Sequence, residues 1–244
     1  MAGGLKRPEL TVIQRAVLKR AASLGLPAGA HVLDAPCGSG ALTVALAEQG
    51  FAAVGADVDT GAAATLGTTF AQVNLNGPLP WPEQSFEAVF STEGIEHLEN
   101  HFFFLRELCR ILRPGGVLLL TTPNITALRS RVRFFGSGFF GRDSRPLNEA
   151  ARHSLHHIGL ATFPELRYEL HMSGFRLAEV RHTHIKPISY LYAIYAPWMW
   201  LYARLAFRKE KDVAQRERNK EILSKLHSPS ALFGECLLLI ARKV

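Results

Sequence analysis

The stretch HVLDAPCGSGALTVALAEQG, from His31 to Gly50, joins a short apolar run to a segment with helical periodicity. Val32 and Leu33 lead into Asp34, and after the paired glycines apolar residues recur at helical spacing until Gly50. This pattern predicts a strand, a tight turn and a helix. In such a turn, glycines let the backbone approach a ligand closely, and the free N–H groups of the new helix face the carboxyl end of the strand. The stretch therefore predicts a binding site for a small molecule.

The composition is that of a globular chain. Its 244 residues are 48% hydrophobic, which is enough for a full core, and we expect a single domain over residues 1–244. The three cysteines lie far apart, without metal-type spacing, and this suits a reducing compartment. No secretory signal is recognisable, so we expect a cytoplasmic protein. The net charge of +7 favours an anionic partner, such as nucleic acid, a phosphorylated substrate or an acidic lipid surface.

Strand-like and helix-like segments alternate along the chain. Strands are predicted near 31–34, 52–56, 70–75, 86–90, 117–122, 175–180 and 234–244, and helices near 9–24, 41–49, 101–112 and 163–173. Such alternation predicts a mostly parallel sheet with helices on both faces. Ligands of these sheets bind beyond the carboxyl ends of the strands, which places Asp34, Asp57, Asn74 and the segment 91–97 at the predicted site.

The glycine turn does not fit a dinucleotide site, because Thr43 stands where the third glycine of G-x-G-x-x-G belongs. Other motifs decide the class of cofactor. VLDAPCGSG, VGADVD, LPWPEQSFEAVFSTEGIEHL and LRPGGVLLLTTPN follow each other in the order and spacing of the class I S-adenosylmethionine-dependent methyltransferases, which the chain resembles over about residues 28–124. HIGLATFPELRYELHMSGF extends the resemblance. It implies an α/β, Rossmann-like, seven-stranded sheet, mostly parallel, with an antiparallel last strand.

The same resemblance implies S-adenosyl-L-methionine as the cofactor, held at four strand ends. Its binding set is Asp34, Ala35, Cys37, Gly38 and Gly40 after the first strand, Asp57 and Val58 after the second, Asn74 and Leu75 after the third, and Ser91 on the fourth. Asp57 would hold the ribose, Asn74 and Leu75 the adenine, and Ser91 would border the sulfonium. Two positions depart from the family: Pro36 replaces a glycine and stiffens the turn, and Asn74 replaces an aspartate.

The segment EGIEH carries the candidate chemistry. Glu93, Glu96 and His97 share one face if the segment is helical, and they then form a candidate ligand set for a divalent cation. The pattern resembles the metal-binding motif of the ubiquinone-biosynthesis O-methyltransferases, and also that of the small-RNA 2'-O-methyltransferases, in which a further histidine, matched here by His157, completes the site. A cation such as Mg²⁺ would orient a substrate oxygen and lower its pKa.

Two other interpretations of this segment stay open. Without a metal, His97 or His157 can act as a general base, and with Glu93 they are our candidate catalytic residues. Alternatively, the histidine serves packing or hydrogen bonding. His157 is chosen over His153 and His156 only by its register in the motif.

Insertions follow the fifth and sixth predicted strands, over 123–160 and 185–230, and a leading helix occupies part of 1–27. The first insertion interleaves basic and aromatic side chains: Arg129, Arg131, Arg133, Arg142 and Arg145 with Phe134, Phe135, Phe139 and Phe140. This mixture suits an anionic surface or substrate, base stacking, or a mobile substrate lid.

The second insertion contains 17 consecutive residues without charge, 187–203, rich in tyrosine and tryptophan. The span is short for a bilayer crossing and Pro197 would interrupt it, so we expect no transmembrane helix. Tyr and Trp favour the headgroup level of a membrane and the following segment is basic, which supports peripheral membrane contact. The alternative is a soluble cap whose aromatic side chains line a pocket or a dimer contact.

These features predict a methyltransferase that acts on a lipophilic or aromatic small molecule. We expect the methylated atom to be an oxygen rather than a nitrogen or a carbon. An RNA 2'-O-methyltransferase is the second hypothesis, supported by the arginine-rich loop and opposed by the uncharged cap, because nucleic-acid channels need phosphate-neutralising charge. A non-catalytic scaffold that binds the cofactor is the third. The sequence leaves the acceptor and the oligomeric state open.

Overall fold

The computed structural model of the protein describes residues 8–140, 146–150 and 155–244. Three positions singled out above, Arg142, Arg145 and His153, lie outside these residues. The strands are β1 (His31–Asp34), β2 (Ala52–Asp57), β3 (Phe70–Gln72), β4 (Phe86–Thr92), β5 (Leu112–Pro123), β6 (Phe175–His182) and β7 (Cys236–Lys243). The helices are α1 (Val12–Ala21), α2 (Ala41–Glu48), α3 (Ala63–Leu66), α4 (His101–Ile111), α5 (Leu128–Ser137), α6 (Phe163–Met172), α7 (Ala196–Phe207), α8 (Val213–Leu226) and α9 (Pro229–Phe233).

All seven strands form one sheet in the order β3-β2-β1-β4-β5-β7-β6. The β1–β2, β1–β4, β2–β3 and β4–β5 pairs are parallel, whereas β7 is antiparallel to both of its neighbours. The predicted fold class is thereby confirmed, including the reversed last strand. β1 and β4 lie at the centre, so their carboxyl ends meet in the middle of one sheet edge.

Apolar side chains cover both faces of the sheet. Along β1 the side chains alternate, and Val32 packs with Val17 of α1 and Leu42 of α2, while Leu33 joins Phe104 of α4 in the opposite cluster. This two-sided burial explains why the central strands read as continuous apolar runs rather than as alternating ones. It also anchors the strand ends that carry the polar residues of the candidate site.

Two strand boundaries differ from the prediction by more than two residues. β3 ends at Gln72 rather than near 75, because the side-chain oxygen of Asn74 accepts the backbone N–H of Asn76 at 3.0 Å and turns the chain. β5 begins at Leu112, which pairs with Phe86 before a register shift in the β4–β5 ladder. The local turn chemistry and the bulge decide these ends.

The two insertions supply the helices at the active-site edge. α5 follows β5, and a 3₁₀ segment (Pro187–Tyr195) and α7 follow β6. Because β5 and β6 are both antiparallel to β7, they run parallel to each other, and the chain leaves β6 at the edge where β1 and β4 end. Among the described residues no helix has both the length and the apolar character required to span a bilayer.

Candidate active site

The turn after β1 is held by backbone contacts to both neighbouring strands. The Ala35 N–H donates to the Phe90 carbonyl and the Cys37 N–H to the Ala56 carbonyl, each at 2.9 Å. Gly38 and Gly40 have φ angles of 52° and 79°, in the left-handed region that favours glycine. A Cβ atom at Gly38 would meet nothing within 4 Å, so the space in front of the turn is open.

Asp57, at the end of β2, faces this turn. Its Oδ2 accepts the Gly38 N–H at 2.8 Å and its Oδ1 accepts the Asp59 N–H at 3.0 Å. The carboxylate is therefore fixed in place, and each oxygen keeps a further lone pair for a ligand hydroxyl. The next residue, Val58, is 51% exposed and offers an apolar surface at the same strand end.

Asp34 is buried beneath the turn. Burial raises the pKa of its carboxyl to about 7, and the Thr43 hydroxyl, which donates to Oδ2 at 2.7 Å, opposes the shift. Thr43 stands where a dinucleotide-binding turn has its third glycine, and here its hydroxyl binds the buried Asp34 carboxyl. The other oxygen, Oδ1, is buried without a hydrogen-bond partner.

The remaining predicted cofactor residues differ in their surroundings. Asn74 is exposed and its carboxamide oxygen already serves the turn to Asn76, whereas Leu75 is buried. Ala35 is also buried, and so is Cys37, whose thiol pKa burial raises to about 12. This thiol is protonated at neutral pH and contributes volume rather than charge.

Gly94 lies in the segment 91–97 that was expected at the site, but no role was assigned to it. A Cβ atom there would lie 2.3 Å from Cδ of Pro36, so only glycine allows the segment after β4 to touch the β1 turn. Its position two residues after Thr92, at a strand end, was the only sequence signal for it. Ser91 lies beside this contact, and its hydroxyl is buried without a partner.

The condition for a shared face, that the segment 93–97 is helical, is not met. Glu93 has a φ of 50° and precedes a 3₁₀ turn that spans only Ile95–His97, so Glu93 does not share a face with Glu96 and His97. Its N–H donates to the Thr121 carbonyl at 3.1 Å, and its carboxylate accepts the Cys236 thiol at 3.7 Å.

Glu96, His97 and His157 do converge. Each offers a ligand atom within 4.8 Å of the other two. Both carboxylate oxygens of Glu96 are buried without a hydrogen bond of ordinary geometry, and burial raises the pKa of this carboxyl to about 8, against the opposing effect of the nearby Thr122 side chain. One carboxylate oxygen and two imidazole nitrogens form a donor set that suits a divalent cation. The structure therefore brings together three of the four predicted metal ligands and leaves Glu93 outside.

The chain segment that carries His157 is docked along the 3₁₀ turn. The Gly159 N–H donates to the Glu96 carbonyl at 2.9 Å, and Nδ1 of His97 lies 3.1 Å from the His156 carbonyl. The rings of His97 and His157 are 4.8 Å apart between centroids. Backbone pairing thus positions a histidine that lies some 60 residues away in sequence.

Two arginines of the first insertion make contacts inside the fold. Arg129 pairs with Glu235 at 3.0 Å. Arg131 donates to the Thr126 carbonyl at 2.6 Å and approaches the Met199 sulfur at 3.6 Å, and burial lowers the pKa of its guanidinium. Arg129 and Arg131 are therefore less available to an anionic ligand than the sequence indicates.

Comparisons with known proteins agree with this geometry. A family model described as a methyltransferase domain matches residues 33–120. A probable S-adenosylmethionine-dependent methyltransferase of Mycolicibacterium smegmatis is 36% identical over 101 residues, 40% of this chain and 39% of that protein. A demethylmenaquinone methyltransferase of Tropheryma whipplei is 34% identical over 46% of this chain and 50% of its own length. A ubiquinone biosynthesis O-methyltransferase of Rhizobium johnstonii is 30% identical over 45% and 47%.

The chain thus spans half or less of the length of these curated relatives. Among solved structures, a SAM dependent methyltransferase from Archaeoglobus fulgidus superposes with a TM-score of 0.56 at 17% identity, over 94% of this chain and 92% of the other. At that identity the likeness concerns the fold, and it extends over nearly the whole chain.

Proposed function

We propose that this chain, which matches a methyltransferase domain over residues 33–120 and resembles S-adenosylmethionine-dependent methyltransferases, transfers a methyl group from S-adenosyl-L-methionine to an oxygen of a lipophilic or aromatic small molecule. The family supports the cofactor and the type of reaction. The acceptor and the atom that is methylated are proposed from the residues around the site.

The observation that carries the proposal is a concentration of unsatisfied polar atoms at one sheet edge. Among the described residues, ten buried side-chain polar atoms lack a hydrogen-bond partner, and five of them belong to Asp34, Ser91, Thr92 and Glu96. An unpaired buried polar atom costs about 1–3 kcal/mol, so such a cluster is typical of a site that is completed by a ligand. The open space in front of Gly38 lies at the same edge.

The protein's residues fit the cofactor in three places. The Asp57 carboxylate, held by two backbone N–H groups, would accept the ribose hydroxyls. Val58, which is exposed, would supply apolar surface for the adenine. The backbone around Gly38 and Gly40 would border the methionine part. When bound, S-adenosyl-L-methionine supplies an electrophilic methyl group on a sulfonium.

The acceptor oxygen must lose its proton, and the group formed by Glu96, His97 and His157 is placed to assist. A divalent cation held by these three residues would orient the oxygen and lower its pKa. Without a cation, a neutral imidazole of His97 or His157 would take the proton directly. In either case the protein contributes alignment of the oxygen with the sulfonium methyl, from which much of the rate derives.

Two findings support a lipophilic acceptor. The 3₁₀ segment, which is uncharged, and the largely apolar α7 follow β6. They bring apolar side chains to the active-site edge of the sheet. Two of the relatives are named for quinone compounds, demethylmenaquinone and ubiquinone. The contacts of Arg129 and Arg131 inside the fold remove two of the cations on which the RNA hypothesis was based.

The test is turnover with a labelled methyl donor. Purified protein is incubated with S-adenosyl-L-[methyl-³H]methionine and, in separate reactions, with a panel of hydroxylated quinones and phenols or with small RNA. We expect label in the organic-soluble products and none in RNA. Cofactor binding without transfer to any acceptor would favour the scaffold hypothesis, and label in RNA would replace our proposal.

The cation is tested in the same assay. Chelation should lower activity, readdition of Mg²⁺ or Zn²⁺ should restore it, and His157→Ala should reduce the affinity for the metal. His156→Ala serves as the matched control, since His156 touches His97 through its backbone carbonyl. Full activity of metal-free protein, with His97→Ala inactive, would assign the general-base role instead.

A further inference from the structure

We propose that the segment Pro187–Phe207, which we name the aromatic cap, docks on an anionic lipid bilayer and holds the active-site edge of the sheet against it. The cap consists of the 3₁₀ segment and α7. The inference rests on the proposed function for its purpose, delivery of a lipophilic acceptor. The docking itself is tested without turnover.

The outer face of α7 is apolar and directed to solvent. Trp198, Leu201, Tyr202 and Leu205 follow at i, i+3, i+4 and i+7, so they share one helical face. Trp198 and Tyr202 are each 73% exposed, and Ile194, one turn earlier in the chain, is 78% exposed. α7 has no buried residue. A surface helix normally turns this stripe inward, so the reversed orientation marks a surface that meets an apolar phase.

Contacts on the other side of the cap fix this orientation. Met199, on the opposite face of α7 from Leu201, lies 3.6 Å from the Arg131 guanidinium of α5. Near the start of the cap, the Tyr190 ring lies 5.1 Å from that of Phe233 in α9. Because α5 and α9 hold the inner side, the Trp198 stripe faces away from the protein.

Basic side chains lie at the end of the stripe. Arg204 stacks over Trp200 at 4.9 Å, and Arg208, Lys209 and Lys211 follow, with Glu210 as the single acidic residue between 187 and 211. Within the described parts of the chain, none of these four cations makes an ion pair. Aromatic side chains at headgroup depth beside free cations are the combination that binds anionic lipid surfaces.

A second copy of the chain fits this surface less well. In a two-fold dimer each patch meets itself, so Arg208, Lys209 and Lys211 would face a partner surface whose single acidic residue over 187–211 is Glu210. Cations that enter an interface without acidic partners lose hydration and gain little in return, which opposes association. An anionic bilayer supplies the complementary charge as well as the apolar phase.

The experiment measures sedimentation of the full chain with vesicles. The wild-type protein should bind phosphatidylglycerol–phosphatidylcholine vesicles and should bind phosphatidylcholine vesicles much more weakly. Ile194→Glu/Trp198→Glu should lower the partition coefficient at least ~tenfold, because two apolar side chains lose their burial. Val12→Glu is the matched control, since Val12 is 58% exposed on α1, which packs on α2, and its partitioning should not change.

The charge component is tested separately. Arg208→Gln/Lys209→Gln/Lys211→Gln should weaken binding to anionic vesicles by about fivefold per residue and should leave the weak binding to neutral vesicles as it is. Added salt should have the same effect as the triple variant.

Calorimetry with S-adenosylhomocysteine on the same variants keeps the proposals apart. Unchanged cofactor binding with lost sedimentation supports docking, whatever the outcome of the turnover assay. Equal sedimentation of wild type and Ile194→Glu/Trp198→Glu, or no sedimentation of the wild type, would overturn the docking proposal. A wild-type dimer that the double variant converts to monomer, without vesicle binding, would assign the cap to self-association.

Discussion

Substitution of Asp57 by alanine tests the cofactor site most directly. The carboxylate is oriented before any ligand arrives, by the N–H groups of Gly38 at 2.8 Å and Asp59 at 3.0 Å. Hydrogen bonds to a charged group contribute about 1.5–3 kcal/mol each, so two bonds to the ribose hydroxyls amount to about 3–6 kcal/mol. At about 1.4 kcal/mol per factor of ten, Asp57→Ala should weaken binding of S-adenosylhomocysteine by roughly 10²–10⁴-fold.

The fold should survive this substitution. Gly38 and Asp59 are exposed, so water can replace the lost acceptor, and we expect a cost of about 1 kcal/mol in the free energy of unfolding. The assay is titration calorimetry together with thermal unfolding. Asp59→Ala is the matched control: it removes the same charge from the same loop, and within the described residues its side chain accepts only the Gly61 N–H. An Asp57→Ala protein that binds the ligand within about threefold of wild type would refute the assignment.

Two further substitutions test the neighbouring contacts. Gly94→Ala should lower the free energy of unfolding by about 1–3 kcal/mol and weaken cofactor binding, because its Cβ would lie 2.3 Å from Pro36. Gly136→Ala is the control in thermal melts, since a Cβ there meets no atom within 4 Å. Equal melting temperatures of the two variants would contradict the contact between Gly94 and Pro36. Asp34 has a pKa of about 7 in the fold, against 3.8 for an ordinary aspartate. Between these two pH values the native state holds a proton that the unfolded state has lost. The free energy of unfolding should therefore fall as the pH rises from about 4 to 7. Asp34→Asn cannot lose that proton, and denaturant titrations across this range should show a smaller fall than in wild type; identical slopes would argue against the raised pKa.

The sheet and the cofactor turn could be predicted because their signals are local. Apolar runs separated by helical periodicity specify strands and helices, and glycines at 38 and 40 mark a turn that needs positive φ. Asp57 could be selected for the same reason, since an acidic residue directly after a strand lies at the ligand edge of such a sheet. The convergence of His157 with Glu96 was predicted by resemblance, and the structure places the two within reach.

The structure departs from the expected pattern where a non-local contact overrides a local one. Glu93 reads as one turn from Glu96 and His97, but it turns toward β5 and β7, where Thr121 and Cys236 bind it. Gly94 gave no periodic signal, because its requirement comes from Pro36, 58 residues earlier. The charges of Arg129 and Arg131 were available in the sequence pattern and are not available in the fold.

The sequence by itself determined the order and type of the strands, the class of cofactor and the uncharged character of the 187–203 segment. Only the tertiary structure decided which polar side chains meet and which way the aromatic stripe of α7 points. The physical reason is that periodicity and turn chemistry act over a few residues, whereas burial, pairing and the facing of a helix are set by elements distant in the chain. Trp198 is an example. The sequence shows that a tryptophan stands there, but its 73% exposure depends on how α7 packs against α5 and α9.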